Sequence, residues 1–309
     1  MLLRLHLISF FIFLSLVLPA QEQPLRIAFY LQPGVEVLDF AGPLEVFSYA
    51  GFEVLIASKN KQAIVSQGVL KVQPNYDIKD LPAVDVIAFF GGNAAATSKD
   101  PVVIAWLKRQ SPEYYFSVCT GAFFLGEAGL LEGQAATTFH NALNDLERNY
   151  PQTEVYRKAR FVDNGSLITT AGISAGIDGA LHLVARIKGF NAARAVAYHM
   201  EYDKWVPGEG LILSHQNPYA GLPKQAELAP YEGVYEWSND QSLRIRYQER
   251  ERSLVAVLDS GVYPLFFEGE NRFTDVGGEQ VVFQRDKQGR VSSFKVKGQD
   301  QTFNRLKMD

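Results

Sequence analysis

Between Leu25 and about Asp203, short unbroken apolar runs alternate with longer amphipathic segments. LRIAFYL, FEVLIAS, VDVIAFFGG and YYFSV have the pattern of strands buried on both faces of a parallel sheet. The intervening segments predict helices over Pro43–Tyr49, Pro101–Arg109, Ala122–Ala128, Asn141–Asn149, Ala175–Ile187 and Ala192–Met200. Pro43 and Pro101 suit a first helical turn, and Gly129 and Gly189 suit the residue just past a helix end. Strand–helix alternation of this kind predicts a doubly wound, mostly parallel α/β sandwich.

The pattern changes after residue 203. Residues 204–229 are dense in proline and glycine and read as a linker. From residue 230 to 309 come YEGVYEW, SLRIRYQ, SLVAVLD, VYPLFFEG, EQVVFQR, RVSSFKVKG and TFNRLK, separated by turn pairs such as Gly277-Gly278. Short alternating runs at near-regular spacing predict a second, all-β domain, a small antiparallel barrel or sandwich.

The first 20 residues have their own logic. A basic Arg4, an apolar run from Leu7 to Leu18 and a small Ala20 form the three-part layout of a secretory signal peptide. The run is short for a membrane span, which needs roughly 20 residues. A periplasmic or secreted protein is expected, with residues 1–20 removed and no membrane contact afterwards, and with the α/β domain covering 24–203.

Composition adds exclusions. At 47% hydrophobic and 21% charged residues the chain can build sizeable cores. A net charge of −4 with no long basic run argues against a nucleic-acid partner. One cysteine rules out a disulfide scaffold. No histidine or carboxylate pair has metal-ligand spacing, so neither a metal nor another cofactor is expected.

That cysteine, Cys119, falls in YYFSVCTGAFFLGEAGLL, where a strand turns sharply into a helix. Ser117 and Gly121, two residues to either side, are small, as a nucleophile elbow requires. The unpaired N–H groups that open the helix predict a thiol held partly ionised and therefore reactive.

VDVIAFFGG, SVCTGAFFLGEAGLLEGQAATT and RFVDNGSLITTAGISAGIDGALHLV together resemble the PfpI superfamily over about Leu25–Asp203. The resemblance implies a flavodoxin-like, class I glutamine-amidotransferase-like fold. LDFAGPLEVF and CTGAF are most similar to the isonitrile-hydratase-like branch, shared with sensor domains of AraC-type regulators. YEGVY opens a tail similar to the β-domains that follow serine β-lactamase-like hydrolases.

Against that background the site can be assembled. Asp39, flanked by Leu38 and Phe40, is expected in partly apolar surroundings that raise its proton affinity. In the resembling enzymes the matching acid lies beside the sulfur and transfers protons. Gly91 and Gly92, with an N–H near Thr120 or Gly121, are candidates for holding developing negative charge. The resemblance implies that the Thr120 hydroxyl positions substrate or water. Gly172, Ile173, Phe139 and His140 are expected to line the pocket, with Ser174 the N-cap of the next helix.

Phe139 stands where the relatives often carry histidine, so His140 is displaced by one position and is not expected to act as the base. His182 and His199 read as packing residues.

Together these features predict a hydrolase or hydratase acting on a small electrophile, an isonitrile, reactive carbonyl or amide. The alternative is a ligand-binding or thiol redox-sensing module without turnover. A homodimer is implied only by analogy with relatives.

Overall fold

A computed structural model describes residues 24–238 and 241–306. The predicted signal segment lies outside these residues. No described helix is long and apolar enough to cross a membrane.

The first half is the predicted α/β sandwich. Its strands and helices run β1 (Arg26–Tyr30), α1 (Val37–Tyr49), β2 (Glu53–Ser58), β3 (Ile64–Ser66), β4 (Leu70–Val72), β5 (Tyr76–Asp77) and β6 (Val86–Phe89). Then follow α2 (Ala94–Thr97), α3 (Pro101–Leu107), β7 (Tyr114–Val118), α4 (Ala122–Glu127), β8 (Ala135–Ala136), α5 (Leu143–Asn149) and β9 (Glu154–Val155). The last are β10 (Phe161–Asp163), β11 (Leu167–Thr170), α6 (Ser174–Lys188), α7 (Phe190–His199) and β12 (Leu211–Ile212).

Eight strands form one sheet in the order β12-β10-β11-β7-β6-β1-β2-β5. All pairings are parallel except β10 with β11. Successive residues of β1 show why its sequence is apolar from Ile27 onward. Ile27 and Phe29 pack under α1, α6 and α7, whereas Ala28 and Tyr30 pack under α3 and α4. A strand covered on both faces cannot alternate with polar residues.

Several helix starts differ from the sequence reading, and two of these differences bear on the site. Helix α1 begins at Val37, so Pro43 lies inside it and Asp39 sits in its first turn. Proline at position 43 has no N–H for the Asp39 carbonyl four residues earlier. Ser174 is the first residue of α6 rather than its cap; the cap is Ile173, at φ 57° and ψ −109°.

The stretch 204–229 is not a loose tether. Strand β12 extends the main sheet beside β10. Trp205 and Tyr219 are buried against α6 and α7 residues. The Tyr219 hydroxyl meets His182 Nδ1 at 3.0 Å, and His182 Nε2 meets Asp163 at 2.8 Å. This segment then forms α8 (Gln225–Leu228), whose Leu228 belongs to the core of the second domain.

That domain is a closed barrel, the first of the two predicted alternatives. Its strands are β13 (Gly233–Ser238), β14 (Gln241–Gln248), β15 (Ser253–Leu258), β16 (Gly261–Gly269), β17 (Arg272–Asp275), β18 (Gln280–Arg285), β19 (Val291–Val296) and β20 (Thr302–Arg305). Pairing of β13 with β20 closes the ring. Tyr231, Tyr235, Phe273, Phe283 and Phe294 fill the interior, with aromatic centroids 5.0–5.9 Å apart. Closure removes the exposed strand edges a small sheet would otherwise present.

Candidate active site

Strand β7 ends at Val118, and the chain turns at once into a single 3-10 turn, Cys119–Gly121, ahead of α4. Cys119 takes φ 59°, a left-handed conformation that costs energy for a residue with a side chain. The turn is held from two directions. The Cys119 N–H donates to Ala171 O at 3.1 Å, and the Thr138 hydroxyl donates to Cys119 O at 2.7 Å. Gly121 is required by closeness: a Cβ there would lie 2.3 Å from the Phe89 carbonyl oxygen.

Asp39 faces the sulfur. It is fully buried, and its two carboxyl oxygens accept separate backbone bonds. Gly91 N–H donates to Oδ2 at 3.0 Å and Ile173 N–H donates to Oδ1 at 2.9 Å. A Cβ on Gly91 would meet Asp39 Oδ2 at 2.6 Å and Cys119 Sγ at 2.7 Å. One hydrogen atom of glycine thus separates acid, thiol and backbone.

Burial raises the Asp39 pKa to about 6, against the pull of the Ile173 N–H, the Cys119 thiol and the Gly91 N–H. The elevated proton affinity follows the sequence reading. The ionised thiol does not. Burial, and then the negative Asp39, push Cys119 up to about 12, which the Thr120 N–H and hydroxyl beside the sulfur oppose only weakly. The helix that was expected to favour the thiolate spans six residues and begins after an intervening 3-10 turn. Desolvation wins over a weak local dipole.

The remaining candidates divide. Gly91 was expected to offer its N–H to substrate, but that N–H is committed to Asp39. Gly92 is exposed at φ 87°, and its N–H has no partner among the described residues. The Thr120 hydroxyl is buried and otherwise unpartnered. Gly172 lines the sulfur: a Cβ there would sit 3.4 Å from Sγ and 2.5 Å from the Phe139 ring. Ile173 contributes its strained backbone rather than only its shape.

Phe139 packs on the cluster that contains Cys119, whereas His140 is exposed with its ring 4.2 Å from that of Phe139. Among the described residues no group of three His, Cys, Asp or Glu side chains gathers to hold a metal.

Sequence reasoning missed two contributors. Thr138 secures the elbow, and its only signal was a threonine pair after the β8 run. Gln32, buried two residues beyond β1, donates to Phe90 O and Gly91 O at 2.8 and 2.9 Å. Its signal was a polar residue directly after the apolar run Ile27–Leu31.

Several known proteins are similar to this chain in sequence or in fold. The chain is 37% identical over 182 residues to isonitrile hydratase of Pseudomonas putida, covering 58% of this chain and 78% of that one. It is 27% identical over 169 residues to the HTH-type transcriptional regulator CdhR of Pseudomonas aeruginosa, covering 52% and 50%. A ThiJ/PfpI family protein from Pseudomonas syringae superposes with a TM-score of 0.55 at 28% identity, covering 60% of this chain and 79% of that one. The DJ-1/PfpI family model matches residues 25–186. With the elbow, the sheet order and these matches in agreement, the chain belongs to the DJ-1/PfpI family.

Proposed function

We propose that this protein is an exported cysteine-dependent hydratase or hydrolase that acts on a small uncharged electrophile, an isonitrile foremost. The observation that carries the reading is the Asp39–Cys119 pair: a thiol at a strained elbow beside a carboxyl poised near pH 6. A general base works best when its pKa lies near the operating pH.

Near neutral pH Asp39 is mostly ionised and Cys119 protonated. As Sγ bonds to the electrophilic carbon, the thiol proton passes to Asp39, so no free thiolate need accumulate. Asp39 returns that proton to the substrate. Water then adds to the same carbon as Asp39 takes one of its protons and passes it to the substrate nitrogen; the remaining hydroxyl proton then moves through Asp39 to Sγ as the C–S bond breaks, which regenerates the thiol. For an isonitrile the sum is addition of one water to give an N-substituted formamide. Gly92 N–H and the Thr120 hydroxyl are the unpaired donors available to developing charge and to the water.

The charge of the site narrows the substrate. The groups that hold the pair are Gly91, Ile173, Thr120, Gly172 and Phe139, with Glu36 near enough to raise Asp39 further. None of them is a cation. A carboxylate-bearing substrate would meet an acid with no counter-charge, which favours neutral molecules.

Likeness to a transcriptional regulator supports a second reading, a ligand-binding module without turnover. Redox sensing is disfavoured, because a thiol raised to about 12 has little of the thiolate that oxidants attack. The test is turnover of neutral isonitriles, 2-oxoaldehydes and small amides, with Cys119→Ala as control. Saturable turnover lost in the variant supports the enzyme. Tight binding without product formation supports the module. Export rests on the layout of residues 1–20, and fractionation of expressing cells tests it by finding the mature chain outside the cytoplasm.

A further inference from the structure

We infer that Gln32 is a positioning residue for this site: its one carboxamide fixes the tilt of the two successive peptides, 90–91 and 91–92, that face Asp39 and the substrate. The clamp begins where the sheet ends. Strands β1 and β6 pair in parallel up to Tyr30 opposite Phe89. Beyond that register the direct ladder stops, and the Gln32 side chain takes over its acceptors on the β6 side. Nε2 donates one hydrogen to Phe90 O at 2.8 Å and the other to Gly91 O at 2.9 Å.

Peptide planarity turns these two bonds into four orientations. Phe90 O and Gly91 N–H belong to one trans peptide and point in opposite directions. Holding Phe90 O on Gln32 therefore directs Gly91 N–H away from it, toward Asp39 Oδ2, where it bonds at 3.0 Å. Gly91 O and Gly92 N–H share the next peptide. Gly91 O is held by Gln32 and by Glu36 N–H at 3.2 Å, so Gly92 N–H is turned outward, unpaired and ready for a ligand. Two glycines in a row resist rotation little by themselves, which is why an outside clamp matters.

The clamp has a cost that a merely structural glutamine would avoid. Gln32 Oε1 is buried with no hydrogen-bond partner among the described residues. Reversing the carboxamide would set its oxygen against two carbonyl oxygens, so the assignment of nitrogen is fixed by the network. A fully buried side chain that leaves one polar atom unpaired in order to seat the other marks an orientation held for use.

The experiment follows the Asp39 carboxyl carbon by NMR across pH in the wild type, Gln32→Met and Gln32→Glu. Methionine matches the length without donors, and glutamate matches the shape but presents oxygen to the carbonyls. The expected result is an Asp39 midpoint raised by about one unit in each variant, because a released peptide no longer directs Gly91 N–H at the carboxylate. Turnover of a neutral isonitrile should fall on the order of 100-fold in kcat, with KM little changed.

The turnover arm rests on the hydratase reading, whereas the titration does not. A shifted midpoint in a protein that turns nothing over would sink the reading and keep the clamp. An unmoved midpoint in either folded variant overturns the clamp, whatever its thermal stability. Should both variants misfold, the wild type still decides: two distinct, exchange-protected Gln32 amide hydrogens support the clamp, and one averaged, freely exchanging pair overturns it.

Discussion

Cys119 and Asp39 act on each other's protons in opposite senses, and this separates reactivity from catalysis. Asp39 raises the thiol by its negative charge, so Asp39→Asn should let iodoacetamide label Cys119 at lower pH. The same change removes the proton acceptor, so turnover should be lost. Labelling that slows in the variant would contradict the pairing. In the wild type, kcat/KM should rise with pH through a midpoint near 6 as the carboxyl ionises.

Stability carries the reverse sign. A carboxyl whose folded pKa is raised binds more protons folded than unfolded between about pH 4 and 6. The fold is therefore favoured by Asp39 below that window and loses the advantage above it. The unfolding free energy of wild type minus that of Asp39→Asn should fall by roughly 2.5 kcal/mol from pH 4 to pH 7. At this scale the sequence was half legible. A cysteine between Ser117 and Gly121 reveals an elbow, and apolar neighbours reveal a raised acid. Gln32 and Ile173 act through side-chain reach and backbone strain across more than 50 residues of chain, which no local pattern records.

Among the elements, the junction of β7 with α4 is set by how closely it approaches β6. Gly121→Ala would drive a methyl group into the Phe89 carbonyl, which neither strand can yield without breaking its ladder. We expect a loss of about 3 kcal/mol, measurable by urea unfolding, with no competent elbow remaining. Gly172→Ala meets only the movable Phe139 ring and the sulfur. Its effect should fall on KM, with unfolding little changed. Strands buried on both faces were plain from their apolar runs. Helix starts were harder, because Pro43 suits a first turn yet lies within α1, and Ser174 suits a cap that the strained Ile173 occupies.

Across the whole molecule, barrel and sandwich meet through α7. Arg194 is buried and bound to Glu251 of the barrel, while Asn191 donates to Glu268 at 2.9 Å. Removing one member of a buried pair leaves an uncompensated charge, so Glu251→Ala should cost about 3 kcal/mol. Replacing both, by Arg194→Met with Glu251→Leu, should recover most of it in the same unfolding measurement. The barrel was readable from its spacing of short strands, but its closure and its seat on α7 were not, since both depend on pairings distant in sequence.

The bridge between the domains reaches furthest. Because Trp205 and Tyr219 plug the back of the sandwich, a scalpel placed at Asp203 would not free a catalytic half. It would strip the roof from His182 and Phe190 and leave an adhesive wound. An autonomous family domain should instead keep the chain through Leu222, and only that longer fragment is expected to stay monodisperse when the barrel is taken away.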